Sequence, residues 1–290
     1  MVYLAFTVEN PGPSSRDSSL FQHSYALWFL RKLPQARVLD TSYCKYGRDY
    51  RKHTAFITNM PRLRLHRPCL TSKKHPRSVQ SLLSKEKNSI PESLLHTLLA
   101  AFMEEGAARG CRRFHVIDVF SGWESMRSAC KSFKVGSNIY HETMRRLQDY
   151  EDMAVWLRVC SHPISYTAVD MTPKSLERRE KVRYVSCKGG KRRLVSNSFE
   201  TTQPEYEEDF MEHKEFLLDL IRQELRQMEE SDETVAILLH MSPPCTTFSL
   251  AGLQTHRRRD GSLSELAVLH DKLCTKMFRE LYHACIHYQK

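Results

Sequence analysis

Val235-Ala236-Ile237-Leu238-Leu239-His240-Met241-Ser242-Pro243-Pro244-Cys245-Thr246-Thr247-Phe248-Ser249 joins an aliphatic run to a proline-stiffened corner. An apolar run of this length, rich in aliphatic residues, reads as a buried strand. The two prolines stop it and stiffen the exit, because each fixes φ and lacks an N–H donor. Cys245 therefore belongs at the C-terminal edge of a sheet, where open α/β folds place their chemistry. Taken alone, a cysteine in a tight turn is more often a packed small side chain than a nucleophile.

Working outward, the chain opens on a strand at residues 2–8 that breaks at Glu9-Asn10-Pro11-Gly12-Pro13. Residues 18–33 carry a broad apolar helical face built on Leu20, Tyr25, Leu27, Trp28, Leu30 and Leu33. Short β-like pieces, Ala36–Leu39 and Thr54–Thr58, surround the polar turn Tyr46-Gly47-Arg48-Asp49. Residues 61–89 show no clear period. Pro91-Glu92 starts a helix through Phe102, with proline near its first position. A strand at 113–120 then turns at Ser121-Gly122 into a helix from about Glu124, and residues 138–158 read as helix again. Ile164–Val169 is the next strand, ending at Asp170. Residues 173–204 read as loop with weak strand, 205–230 as a charged amphipathic helix, and 264–288 as the last helix. From residue 110 onward strands alternate with helices, which predicts a mostly parallel sheet covered on both faces.

Several chemistry-bearing residues fall at strand ends in this reading. Asp118-Val119-Phe120-Ser121-Gly122 runs a strand into a glycine turn and a helix, a geometry that offers backbone N–H groups to a nucleotide-like ligand. Asp170 ends the next strand, where a carboxylate accepts hydrogen bonds from ribose hydroxyls. Cys245 ends the apolar run, and Glu9 sits at the Glu-Asn-Pro break.

Together these resemble the cytosine-C5 DNA methyltransferases. In that family a strand ending Asp-x-Phe-x-Gly opens the S-adenosylmethionine site, a Pro-Pro-Cys loop followed by Phe-Ser carries the nucleophile, and Glu-Asn holds the target base. The matching residues are Asp118, Phe120 and Gly122, then Pro243-Pro244-Cys245 with Phe248-Ser249, then Glu9-Asn10. The segment Tyr43–Thr54 occupies the place of the family's arginine-bearing strand near the flipped cytosine, with Arg51 as the positioning residue and Arg48 as the competing assignment. The order is that of a circular permutation: the Glu-Asn half comes first, then the glycine turn, then the cysteine. Plant rearranged methyltransferases are similar in this respect. The cut falls between the helix that follows the Cys loop and the strand leading to Glu-Asn, a connection that tolerates permutation.

The resemblance implies a Rossmann-like, S-adenosylmethionine-dependent methyltransferase fold, α/β and circularly permuted. Residues 1–105 would be the permuted C-terminal half, with a small recognition-like segment at about 60–90. Residues 106–290 would be the cofactor-binding half. Its implied activity is methyl transfer to cytosine C5 in DNA, with Cys245 as nucleophile, Glu9 as the base-holding acid and Arg51 beside it. Asp118, Phe120, Ser121, Gly122, Asp170 and Pro243 would line the site for S-adenosyl-L-methionine. The chain departs from the family at Gly122-Trp123-Glu124-Ser125, where the usual turn is richer in glycine, and at Thr246, where the family has Gln. The alternatives are a catalytically weak or inactive relative that binds nucleic acid, and an RNA cytosine-C5 methyltransferase.

Composition frames these expectations. The 290 residues are 41% hydrophobic and 27% charged, ordinary for a globular chain. No apolar run reaches the ~18–20 residues of a membrane span, and Met1–Asn10 lacks the basic start of a signal peptide. Nine scattered cysteines point to a reducing, intracellular compartment, the nucleus or nucleoid if DNA is the substrate. The net charge of +10 suits a polyanion. The basic residues gather in three stretches: Arg62, Arg64, Arg67, Lys73, Lys74 and Arg77; Lys191 and Arg192; Arg257 and Arg258. These are the expected contacts to DNA, with RNA as the other candidate. Cys44, His66, Cys69 and His75 match no standard zinc spacing and read as loose side chains in a basic loop, so no metal is expected.

Overall fold

The computed structural model describes residues 2–12, 20–70, 75–83, 86, 89–120, 125–133, 164–169, 184–188, 191–194, 215–228, 234–243, 248, 256–257 and 261–288. The strands are β1 (Val2–Pro11), β2 (Arg37–Ser42), β3 (His53–Thr58), β4 (Arg113–Val119), β5 (Ser165–Val169), β6 (Tyr184–Lys188), β7 (Lys191–Leu194) and β8 (Val235–Met241). The helices among the described residues are α1 (Ser24–Lys32), α2 (Glu92–Ala108), α3 (Ser125–Ser132), α4 (Phe216–Met228) and α5 (Glu265–Tyr288). The strands form one sheet in the spatial order β2-β3-β1-β8-β4-β5-β6-β7.

Its centre is parallel, as the alternation of strands and helices predicts: β1 with β8, β8 with β4, and β4 with β5. Both flanks are antiparallel, through β3 and β2 on one side and β6 and β7 on the other. Hydrophobic period sets which face a strand buries, but it carries no information on strand direction. The result is a mixed α/β fold compatible with a Rossmann-like architecture.

Alternation along the central strands divides two cores. Leu4, Phe6 and Val8 of β1, with Ile237, Leu239 and Met241 of β8, pack under α1, α4 and α5. There Phe6 meets Phe29 edge-on at 5.5 Å, and Phe29 meets Phe278 at 5.4 Å. Ala5, Ala236, Leu238, Phe114 and Val116 face the other way, under α2 and α3. Cover on both faces explains why these strands read as continuous apolar runs.

β1 does not break at Glu9. It runs on to Pro11 because β3 supplies partners for Thr7 through Pro11, past the last β8 pair at Val8. Pro11 is tolerated as the terminal residue, where its missing N–H costs no ladder bond. The two sequence segments 1–105 and 106–290 contribute to the same sheet, since the first strand lies directly beside the last, Val2 against Val235. α5 follows β8 and packs on α1 and β1. The helix expected at 138–158 and the start of the one expected at 205 lie outside the described residues. No helix among the described residues is long and apolar enough to cross a membrane.

Candidate functional site

Register brings three of the expected motifs to one edge. Val8 of β1 and Val119 of β4 both pair with Met241 of β8. One residue further, Glu9, Ser242 and Phe120 therefore lie at the same level, where the pairing of β8 with both neighbours ends and β1 continues on β3 alone. The Ser242 N–H donates to the Val119 carbonyl at 3.3 Å, carrying the contact past the last ladder pair. Pro243 is buried, and so is Phe248, whose ring joins the core beneath α5. The segment that bears Cys245 thus leaves from one buried residue and returns to another. Cys245 itself, Ser121, Gly122 and Asp170 lie outside the described residues.

Glu9 is 7% exposed. Its Oε1 accepts hydrogen bonds from Thr54 Oγ1 at 2.5 Å and from Tyr43 OH at 3.2 Å. Lys52 Nζ lies 3.5 Å from the same phenol oxygen and 4.7 Å from the centre of its ring. Among the described residues, then, Glu9 is held by two hydroxyls with an ammonium behind them. Arg51 is exposed, and Arg48 donates to Ser89 Oγ at 3.2 Å. The contacts to Glu9 from the Tyr43–Thr54 segment run through Tyr43 and Thr54, which the β1–β3 register brings to it. Asn10 is fully buried, yet neither end of its side-chain amide has a hydrogen-bond partner among the described residues.

One step inside the edge, buried polar residues cross the sheet in a row: Thr58, Thr7, His240 and Asp118 are successive cross-strand partners. His240 Nδ1 lies 2.8 Å from Thr7 Oγ1, and Nε2 lies 3.4 Å from Ser242 Oγ. Burial pushes the imidazole pKa down to about 3, so the ring is neutral. A neutral ring has one donor and one acceptor nitrogen, which two hydroxyls can satisfy in either tautomer. Asp118 accepts from Tyr166 OH at 2.7 Å. Immediately after this row Phe120 adopts φ 63°, in the left-handed region that non-glycine residues seldom occupy.

The basic residues do not gather into one patch. The segment containing Arg62, Arg64 and Arg67 runs beside β2: Arg37 on that strand donates to the Met60 and Leu63 carbonyls, and Thr41 to His66. Arg62 faces Glu105 at 3.6 Å, Arg64 donates to the Pro61 and Leu63 carbonyls, and Arg67 is exposed. Arg77 pairs with Asp49 at 2.7 Å and with Glu86. Lys191 and Arg192 sit on β7, the opposite edge strand, seven strand spacings or roughly 34 Å away. Arg257 is committed elsewhere: its guanidinium lies 4.4 Å from the Phe248 ring centre and pairs with Asp271 of α5. Lys73, Lys74 and Arg258 lie outside the described residues.

Cys44, Cys69 and His75 are not loose. Their donor atoms all lie within 4.8 Å of one another. His66 is absent from that group; its ring packs on Tyr46 with centroids 5.1 Å apart. A separation of 25 residues between the two cysteines hides the cluster from any motif scan. No protein-family model matches this chain, and no curated protein matches it.

Proposed function

We propose that this protein transfers a methyl group from S-adenosylmethionine to C5 of cytosine in DNA, through a covalent bond between Cys245 and C6. The observation that carries the proposal is the shared edge. Glu9-Asn10, Ser242-Pro243 and Asp118–Phe120 lie at the same edge on three adjacent parallel strands, although they come from widely separated parts of the sequence. In a circularly permuted methyltransferase the strand after α5 would be β1, and β1 does lie beside β8.

The placement of residues at this edge supports the reading for both ligands. α3 follows β4 on one face of the sheet and α5 follows β8 on the other, so a crevice is expected between the two strand ends. Asp118 and Phe120 border it, and the methyl donor supplies an electrophilic methyl group there. The Cys245 thiolate would add to C6, making C5 nucleophilic; C5 would take the donor's methyl group as the methyl–sulfur bond breaks and S-adenosylhomocysteine leaves, and loss of the C5 proton to a base would then expel the thiolate. Glu9 faces the ring at N3, where a hydrogen bond stabilises charge developing in the base. Tyr43 and Thr54 hold Oε1, leaving Oε2 without a partner among the described residues. The buried amide of Asn10 has its full hydrogen-bonding capacity to offer the Cys245 segment or the base. C6 is inaccessible inside a duplex, so the cytosine must be flipped out, and the positive net charge favours holding the strand while that happens.

A second reading is a relative that binds nucleic acid without catalysis, favoured by Trp123-Glu124 in place of a glycine-rich turn. One experiment separates the two. The protein is incubated with labelled S-adenosylmethionine and DNA containing 5-fluorocytosine, which cannot lose its C5 substituent. We expect a denaturation-stable adduct that disappears in Cys245→Ala; no adduct with the unmodified protein sinks the catalytic reading. RNA containing the same base distinguishes the substrates.

A further inference from the structure

We propose that Cys44, Cys69 and His75 form a zinc site that fastens the basic segment beside β2 to the sheet. Two thiolates and one imidazole supply three ligands, and water takes the fourth position. Zinc binding here does not require the methyl-transfer reading to hold.

Geometry makes the first part of the case. Cys69 Sγ and His75 Nε2 are 3.7 Å apart. Two such ligands on one tetrahedral zinc ion, with Zn–S near 2.3 Å and Zn–N near 2.0–2.1 Å, would stand about 3.5 Å apart. Cys44 Sγ lies within 4.8 Å of both atoms. Small adjustments would therefore close the three around an ion. Thiolate and imidazole together are the donor set that selects zinc over magnesium or calcium.

The scaffold holds this arrangement from both sides. Cys44 lies on a 3-10 turn, Tyr43–Tyr46, which ends at Gly47 with φ 85°. Cys69 is 3% exposed, and its N–H donates to Ser42 Oγ at 2.9 Å. Upstream, the His66 N–H donates to Tyr46 OH at 2.9 Å. Downstream of His75, Arg77 grips the Asp49 carboxylate, and its N–H donates to the Asp49 carbonyl at 3.3 Å. The three ligands come from two stretches of chain that hydrogen bonds already hold together.

The chemistry agrees. Thiolates rather than thiols ligate zinc, and the divalent ion supplies the positive charge that two such sulfurs in one site need. Zinc binding releases two protons, one from each thiol, to the solvent, while His75 coordinates as the neutral ring. One divalent ion with two thiolates leaves no net charge in the half-buried site. Cys44 directly follows Tyr43, whose hydroxyl holds Glu9, so the ion would also steady that turn.

The test uses the full chain, purified under reductant and stripped with a chelator. Zinc is then titrated against a chromophoric competitor, and cobalt(II) is added to a second sample. We expect one zinc ion per chain and a cobalt spectrum with thiolate charge-transfer absorption. Cys44→Ser and His75→Ala should each weaken zinc binding by ~100-fold or more, at least the upper end of what losing an outer-shell partner costs. His66→Ala should leave it unchanged. No stoichiometric zinc on the unaltered chain, or undiminished affinity in both variants, overturns the proposal. If Cys69→Ser does not fold, the cobalt spectrum of the unaltered chain still decides whether thiolates bind.

Discussion

His240 stands between Thr7 and Ser242 with a hydroxyl at each ring nitrogen and no water-facing surface to accept a proton. Its folded pKa is about 3 against an unperturbed 6.5. The unfolded chain therefore takes up this proton first on acidification, and the folded state loses ground. The contribution is fully present above pH 6.5 and declines as pH falls toward 3, by up to about 1.4 kcal/mol per pH unit. We expect His240→Gln to flatten the acid limb of a urea-denaturation profile between those limits. Parallel profiles for both proteins would mean that other groups carry the acid sensitivity. At this scale the sequence was legible where an apolar run closes on polar or turn residues, as at Ser242-Pro243 after β8. It was silent where a partner comes from cross-strand register. Tyr43, Thr54 and His240 are ordinary residues until β1 is laid against β3 and β8. The Cys44, Cys69 and His75 group is hidden for a related reason, because a 25-residue excursion brings its members together.

Among the elements, α2 approaches the sheet closely at Gly106. A Cβ built on Gly106 would stand 2.6 Å from Phe114 Cε1 and 3.0 Å from Ala236 Cβ. Alanine would favour the helix by about 1 kcal/mol, but overpacking of this kind typically costs 1–3 kcal/mol. Phe114 is itself wedged edge-on against Phe102 at 5.5 Å, so its ring has little room to yield. We expect Gly106→Ala to lower the unfolding free energy by about 1 kcal/mol, read as a lower denaturant midpoint at unchanged slope. A raised midpoint would show that the ring moves aside freely. Strands β1, β3, β4 and β8 could be read from their apolar runs, and α5 from its length and period. The antiparallel flanks could not be read, because β2 with β3, and β6 with β7, differ from parallel strands only in how the chain returns. The extension of β1 to Pro11 was likewise invisible, since a proline in isolation signals a break and only the pairing with Thr54 overrules it.

On the scale of the whole molecule, the order of elements in space differs from their order in sequence. β1 belongs next to β8, and α5 runs back beneath both toward the start of β1; Val2 and Tyr288 pack against the same core. Joining residue 290 to residue 1 with a flexible linker, and opening the chain at the exposed turn around Gly110, would place β4 first and β1 after α5. We expect that rearranged chain to fold cooperatively with the circular dichroism of the original. Failure to fold, with the linker length varied, would mean that the present ends are constrained in ways the strand order does not reveal. Thr7 and His240, in contact at 2.8 Å, are 233 residues apart in the chain. During synthesis at 5–20 residues per second, β1 would wait roughly 10–50 s for its central partner to emerge. Throughout that interval its apolar backbone edge is open to strand partners from other molecules. The β1–β8 pairing at the sheet's centre is thus among the last to form, and Val2–Pro11 presents an open edge until Val235–Met241 is made.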